Sequence, residues 1–320
     1  MNRFALVVAV AMTVCAPAVA QTPGKTYRLG LLALNQQSID VTREHTLPEL
    51  AKLGFSDGRN LVVDTRVGKA EELVAGARAL VASHVDAVIA IGADAILSAR
   101  AATTTVPIVM FGDDPVGLGV ADSLARPGRN VTGVTILVAE LDAKRLQLLH
   151  EAVLGARRVA GLLYAAQTSR LVSIRGLREA AASAALDLSL MDVPEPVDYE
   201  AAFDKLREAA VQAVVVGPSP VFFRDGARIA TLALDRQMAT VCEWADMARD
   251  GCLIGFGPNR ADLRRRMAHL LARIFAGTDP ADLPIEGPTL FEMAINLRTA
   301  RRLGFEVPAA LLGRADEVIE

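Results

Sequence analysis

The residues that could do chemistry stand directly after apolar runs. Residues 106–111 lead to the adjacent acids Asp113 and Asp114, then Pro115. Residues 85–91 lead to Gly92, Ala93, Asp94 and Ala95, and residues 27–34 lead to Asn35, Gln36, Gln37 and Ser38. Further along, Tyr164, Gln167, Ser219, Phe222, Glu243 and Trp244 stand at or just past the ends of later runs. Together these types offer recognition chemistry. Carboxylates take a cation, N–H groups at a helix start take an anion, amides and hydroxyls take hydrogen bonds, and aromatic faces take a flat or cationic group. Each stretch also has a plain alternative. Asp94 can be an ordinary helix N-cap, Asp114-Pro115 a turn, residues 35–38 a polar loop, and one of Phe222 and Phe223 core filler.

Catalytic and metal chemistry find less support. Paired carboxylates can do acid–base work, but neighbours in sequence need not point together, so an exported hydrolase is the weaker reading. No HExxH, G-x-S-x-G, P-loop or dinucleotide glycine fingerprint is present. His45, His84, His150 and His269 lie away from the predicted strand ends. Cys242 and Cys252 have neither metal spacing nor a nearby histidine. An oxidising compartment permits a disulfide between them, and the sequence leaves open whether they are bridged or are two buried thiols. No metal and no cofactor is expected.

The elements that must hold these residues are legible as an alternation. Residues 27–34, 61–66, 85–91 and 106–111 read as strands, and 41–53, 71–83 and 96–102 as the helices between them. Such a series builds a parallel sheet with right-handed crossovers. The extended run 131–135 then carries the chain elsewhere, and the alternation restarts. Helices are expected at 139–153, 171–186, 199–210 and 226–236, with strands at 159–164, 188–193, 213–216, 239–241 and 252–256. A basic amphipathic helix follows at 261–276, with Arg264, Arg265 and Arg266 in one turn, read as a solvated face in preference to an anionic binding patch. An extended piece at 289–295 precedes a last helix from near Asn296. Two α/β lobes with a cleft between them follow from this pattern. Ligands of open α/β sheets sit outside the carboxyl ends of the strands, where the polar stretches lie.

Length and charge set outer bounds. With 320 residues and a net charge of −3, the chain suits two domains and offers no basic face for nucleic acid. Residues 1–20 read as a secretory signal peptide: Arg3, a short apolar stretch, then Ala18-Val19-Ala20 before a cut at Gln21. A lipoprotein signal at Cys15 is disfavoured by Val14 before it. The mature chain is expected in the periplasm.

The order of local motifs resembles a known family. They are LGFSDGRNL at 53–61, DPVG at 114–117, SLARPGRNVTG at 123–133, ADLPIEGPTLFEMAINLRTARRLG at 281–304 and LLGRADEVIE at 311–320. Together they are similar to the ABC-transporter substrate-binding proteins of the tryptophan/tyrosine-binding type, across essentially the whole mature chain. The resemblance implies an α/β fold of the type I periplasmic binding protein class: two Rossmann-like lobes with parallel sheets, joined by three crossover segments and closing on a small ligand. It places residues 26–130 plus 258–283 in the N-terminal lobe and 136–255 plus 289–320 in the C-terminal lobe. It also implies an amino acid or related small molecule as ligand, an inner-membrane ABC permease with a cytoplasmic ATPase as partner, and a monomer. A sensory module presenting ligand to a membrane receptor would carry the same cleft.

Overall fold

Residues 87–91 have no polar side chain, and all five are buried in strand β3 of a parallel sheet, as an unbroken apolar run requires. The computed structural model describes residues 24–166 and 170–320 of the chain. The expected signal peptide and Gln167 lie outside the described residues. In chain order the first half holds β1 (Tyr27–Ala33), α1 (Gln36–Lys52), β2 (Leu61–Val67), α2 (Ala70–Ala82), β3 (Ala87–Ile91), α3 (Ala93–Ala102), β4 (Ile108–Gly112) and β5 (Val131–Thr135). These strands form a five-stranded sheet in the order β2-β1-β3-β4-β5, with every pair parallel.

Residues 131–135, expected as a crossing, are therefore an edge strand of the first sheet, paired with β4 from Ile108↔Val131 to Gly112↔Thr135. Gly133 permits this pairing. A Cβ there would meet the Met110 backbone oxygen at 2.1 Å, and its φ of +142° suits only glycine comfortably. The chain leaves for the second lobe immediately after this strand.

The second lobe holds α4 (Val138–Ala152), β6 (Arg158–Tyr164), α5 (Arg170–Ser183), β7 (Asp187–Val193), α6 (Tyr199–Glu208), β8 (Ala213–Val216), α7 (Pro220–Arg224), α8 (Gly226–Asp235), β9 (Ala239–Cys242) and β10 (Ile254–Pro258). Helix α9 (Arg260–Phe275) then returns to the first lobe, where it packs on α1, β4 and β5. A third passage runs beside β5, held by the bonds Thr135 N–H to Glu286 O and Glu286 N–H to Gly133 O, both 2.9 Å. It delivers β11 (Phe291–Asn296), α10 (Leu297–Leu303), α11 (Ala309–Leu312) and β12 (Glu317–Ile319) to the second sheet. That sheet is seven-stranded, in the order β12-β11-β10-β9-β8-β6-β7, parallel except where β11 runs against β10. Among the described residues no helix is long and apolar enough to cross a membrane.

Helix α1 begins earlier than its apolar pattern suggests. Asn35 is extended, and its side-chain oxygen accepts the Ser38 N–H at 2.9 Å, which starts the helix directly after β1. Gln36, Gln37 and Ser38, expected in a polar loop, are thus the helix's first turn. Capping by Asn35 outweighed the missing apolar residues there.

Candidate functional site

The carboxyl ends of the two sheets face each other across a small cavity of about 70 Å³. From the first lobe, Ser38, Val41, Gly92, Phe111 and Asp113 reach it, joined by Arg260 and Arg264 of α9. From the second lobe come Pro218, Ser219, Pro220, Phe223, Glu243 and Trp244. The lobes touch around it. The Asn35 side-chain amide donates to the Pro220 carbonyl at 2.8 Å, and the Phe111 and Trp244 rings approach to 6.3 Å between centroids. Gly92, at φ +87°, turns the chain from β3 into α3; a Cβ there would press on the Pro220 ring at 3.3 Å.

Of the residues singled out in the sequence, Ser38, Gly92, Ala93, Asp113, Ser219, Glu243 and Trp244 line this cavity. Asn35 sits at its edge as the cross-lobe bond. The others are placed elsewhere. Gln36 is exposed and bonds Asp40 at 2.8 Å. Gln37 is half-buried and does not line the cavity. Ala95 is packed in the first lobe's core. Asp94 is half-buried in the first turn of α3, outside the lining. Asp114 takes the turn role: its Oδ1 accepts the Gly117 N–H at 2.9 Å. Tyr164 is buried away from the cavity and donates its hydroxyl to Glu195 at 2.5 Å. Phe222 and Phe223 exchange the expected roles. Phe222 packs between Tyr164 and Tyr199, whereas Phe223 faces the cavity. Ser219 caps the short helix α7 through its hydroxyl, and successive residues of that helix point about 100° apart.

Four ionisable groups matter in the wall. Asp113 is buried, and burial pushes its carboxyl up, opposed by the Val138 N–H and the Thr135 hydroxyl, which bonds its Oδ1 at 3.1 Å. Glu243 is buried as well. Its carboxyl is pushed up to about 7 by burial, against the pull of Arg145. Arg260 is partnered: it bonds Asp246 at 2.7 Å and lies over the Phe223 ring at 4.4 Å and the Trp244 ring at 5.6 Å. Arg264 is not on a solvated face, as the basic cluster suggested; it is 4 % exposed, inside the cleft. Its neighbours Arg265 and Arg266 are half-buried, with Arg266 bonding Asp262 at 2.9 Å. Burial pushes the Arg264 guanidinium down to about 9, with Arg260 adding to the shift, so it stays charged at neutral pH.

Cys242 and Cys252 are joined in a disulfide, with Cα atoms 6.4 Å apart. The bridge closes a short loop carrying Glu243 and Trp244, so two wall residues sit on a covalently tied segment. Behind them, Arg145 of α4 donates to Asp142 at 2.7 Å and to the carbonyls of Phe256 at 2.8 Å and Glu243 at 3.1 Å. No cluster able to hold a metal occurs among the described residues.

Comparison with known proteins adds to this geometry. The model of the family described as ABC transporter substrate binding protein matches residues 31–319. The chain belongs to that family. A curated relative, the tyrosine-binding protein of Clostridioides difficile (strain R20291), is 20% identical over 84% of this chain and 78% of its own length. Among solved structures, a conserved domain protein from Vibrio cholerae superposes with a TM-score of 0.87 at 22% identity, over 92% of this chain and 100% of that one. An ABC domain in complex with L-Trp from Streptococcus pneumonia gives 0.85 at 21% identity, over 92% and 100%. A ligand-free, open substrate binding protein with adhesive properties from Clostridium difficile gives 0.67 at 20% identity, over 92% and 99%. The fold is the type I periplasmic binding fold: two α/β lobes, each on its own mainly parallel sheet.

Proposed function

We propose that this protein is the periplasmic solute-binding component of an ABC importer, enclosing an amino acid or related small molecule and presenting it to an inner-membrane permease driven by a cytoplasmic ATPase. The observation that carries this is the cavity walled by both lobes, with the Asn35–Pro220 bond across its edge. A site assembled from two lobes exists only when they meet, so a ligand that touches both favours the closed form. Family membership supports the importer setting, and the relatives named for tyrosine and tryptophan support the ligand class. The three aromatic rings of the wall, Phe111, Phe223 and Trp244, suit an apolar side chain. The cavity is smaller than the ~150 Å³ engineered cavity that admits benzene, so a large aromatic amino acid requires the lobes to part further, whereas a small one does not.

Trp244 is the only tryptophan and lies in the cavity wall, which makes its fluorescence a direct reporter. The test is titration of the purified, ligand-stripped protein with the L-amino acids, read by fluorescence and calorimetry, with each ligand recovered afterwards. One class is expected to bind saturably, one per chain, and to be recovered unchanged. Silence across the panel sinks the amino-acid reading; chemical conversion of the bound compound sinks the binding-protein reading. Fractionation and amino-terminal sequencing test the expected export and cut before Gln21.

A further inference from the structure

Helix α9 carries an arginine where its packing pattern calls for an apolar residue. Leu263, Met267, Ala268 and Leu271 are all buried, and Arg264 occupies the same stripe at helical spacing from Met267, Ala268 and Leu271. A cation at such a place is costly unless something compensates it. Within the protein the compensation is incomplete. The Nε and Nη1 atoms of Arg264 are buried and have no hydrogen-bond partner. No carboxylate is among the groups that shift its ionisation; the one charged group acting on it is Arg260, which repels it. What does support it is the face of Phe111, 3.6 Å from the guanidinium carbon. That contact steadies the plane of the group and leaves the N–H bonds of Nε and Nη1 without an acceptor. Arg264 also lines the cavity between the lobes.

We infer that Arg264 is the anion receptor of this cavity, and that it takes the carboxylate of a small monocarboxylic ligand. This rests on reading the cavity as the ligand site. A carboxylate fits because it is planar, carries one negative charge and accepts two N–H bonds at once from a guanidinium. The wall also limits what the rest of the ligand carries. Asp113 and Glu243 face the same cavity, so a second carboxylate on the ligand meets them rather than another free cation. Amino acids and simple carboxylic acids satisfy both ends; dicarboxylates do not. The ligand thus neutralises a charge that the fold leaves exposed to no solvent, and closure is favoured by the ligand's charge as well as its shape.

Acetate is the direct probe, since it carries the carboxylate alone and is small enough for the closed cavity. The measurement is thermal melting of the full mature chain in acetate against chloride at equal ionic strength, for the natural protein and for Arg264→Met and Arg264→Lys. The natural protein is expected to melt at higher temperature in acetate, saturably, with succinate giving a smaller rise. Arg264→Met is expected to lose that response and, in chloride, to melt no lower than the natural protein. Arg264→Lys, which keeps the charge and loses the fork, is expected to keep part of the response. Any amino acid that binds the natural chain is expected to bind Arg264→Met at least tenfold more weakly. A natural protein indifferent to acetate, or an Arg264→Met protein that responds equally, overturns the assignment; so does an Arg264→Met protein that melts well below the natural one. The two readings fail separately. Acetate acting through Arg264 with no amino acid bound leaves the receptor standing and removes the amino-acid reading. Amino acids binding equally to Arg264→Met do the reverse.

Discussion

Two arginines are buried among the described residues, and they differ in what surrounds them. Arg145, 1 % exposed, uses Nε, Nη1 and Nη2 on the Phe256 carbonyl, Asp142 and the Glu243 carbonyl. It ties the first helix of the second lobe to the ends of two of its strands, close to where the chain crosses back. Arg264, 4 % exposed, has an aromatic face beneath it and two nitrogens without acceptors. A buried cation each of whose nitrogens has an acceptor belongs to the architecture. One whose bonds are unmade waits for something from outside. The contrast separates scaffold from site without reference to any relative.

The largest expected effect tests the scaffold side. Arg145→Met leaves Asp142 buried without its cation and two carbonyls without donors, and denaturant unfolding should show a loss of about 3–5 kcal/mol. If Arg145→Met and Arg264→Met cost the same, the distinction between the two arginines collapses.

A smaller effect concerns the acid tied to Arg145 through its backbone. The Glu243 carboxyl sits at about 7 in the folded protein, against an ordinary 4.5, with Arg145, Asp142 and Arg260 as the charged groups acting on it. Between those values the folded state holds more protons than the unfolded chain. Stability from this group is therefore greatest below about pH 4.5 and falls as pH rises through 7. Comparing unfolding free energies at pH 5 and pH 8, the natural protein should lose roughly 1–3 kcal/mol more than Glu243→Gln over that span. Equal slopes for the two proteins would show that Glu243 does not titrate in this range.

The smallest effect sharpens the line between wall and latch. Asn35→Asp retains the oxygen that caps α1 but replaces the donor to Pro220 with a carboxylate facing a carbonyl. One cross-lobe hydrogen bond is worth about 1 kcal/mol, so affinity should fall roughly five- to tenfold for every ligand alike. Small-angle scattering should show a less compact bound state. A change in which ligands bind, rather than in how tightly all of them do, would make Asn35 a ligand contact instead.

Much of the fold was legible because strand burial leaves a plain mark. Residues 87–91 and 213–216 are unbroken apolar runs, and the helices between strands show their helical spacing. What escaped was short or locally ambiguous. β12, Glu317–Ile319, is too brief to show a pattern. The strand at 131–135 looks the same whether it pairs or crosses, and only its register with β4 decides. Among the residues lining the cavity, strand-end logic points to Asp113, Ser219, Glu243 and Trp244. It missed Arg260 and Arg264 because they come from a helix that returns from the far end of the sequence, and no strand-end rule points to it. The available signal was the phase of α9, where Arg264 stands three, four and seven residues before Met267, Ala268 and Leu271. Phe222 and Phe223 could not be told apart, since adjacent residues of a five-residue helix carry no period to read.

The route of the chain has a consequence for its synthesis. The first sheet is complete by Thr135, yet α9, which covers its strands β4 and β5 and packs on α1, begins only at Arg260. The second sheet likewise lacks β11 and β12 until residues 291–319 have been made. A nascent chain that has not yet passed residue 258 therefore contains no finished lobe. Each half leaves apolar surface uncovered while it grows, and the last fifth of the polypeptide closes both. Such a molecule postpones its commitment to the native state until translation is nearly over, which gives whatever escorts unfolded chains a long interval in which to hold this one.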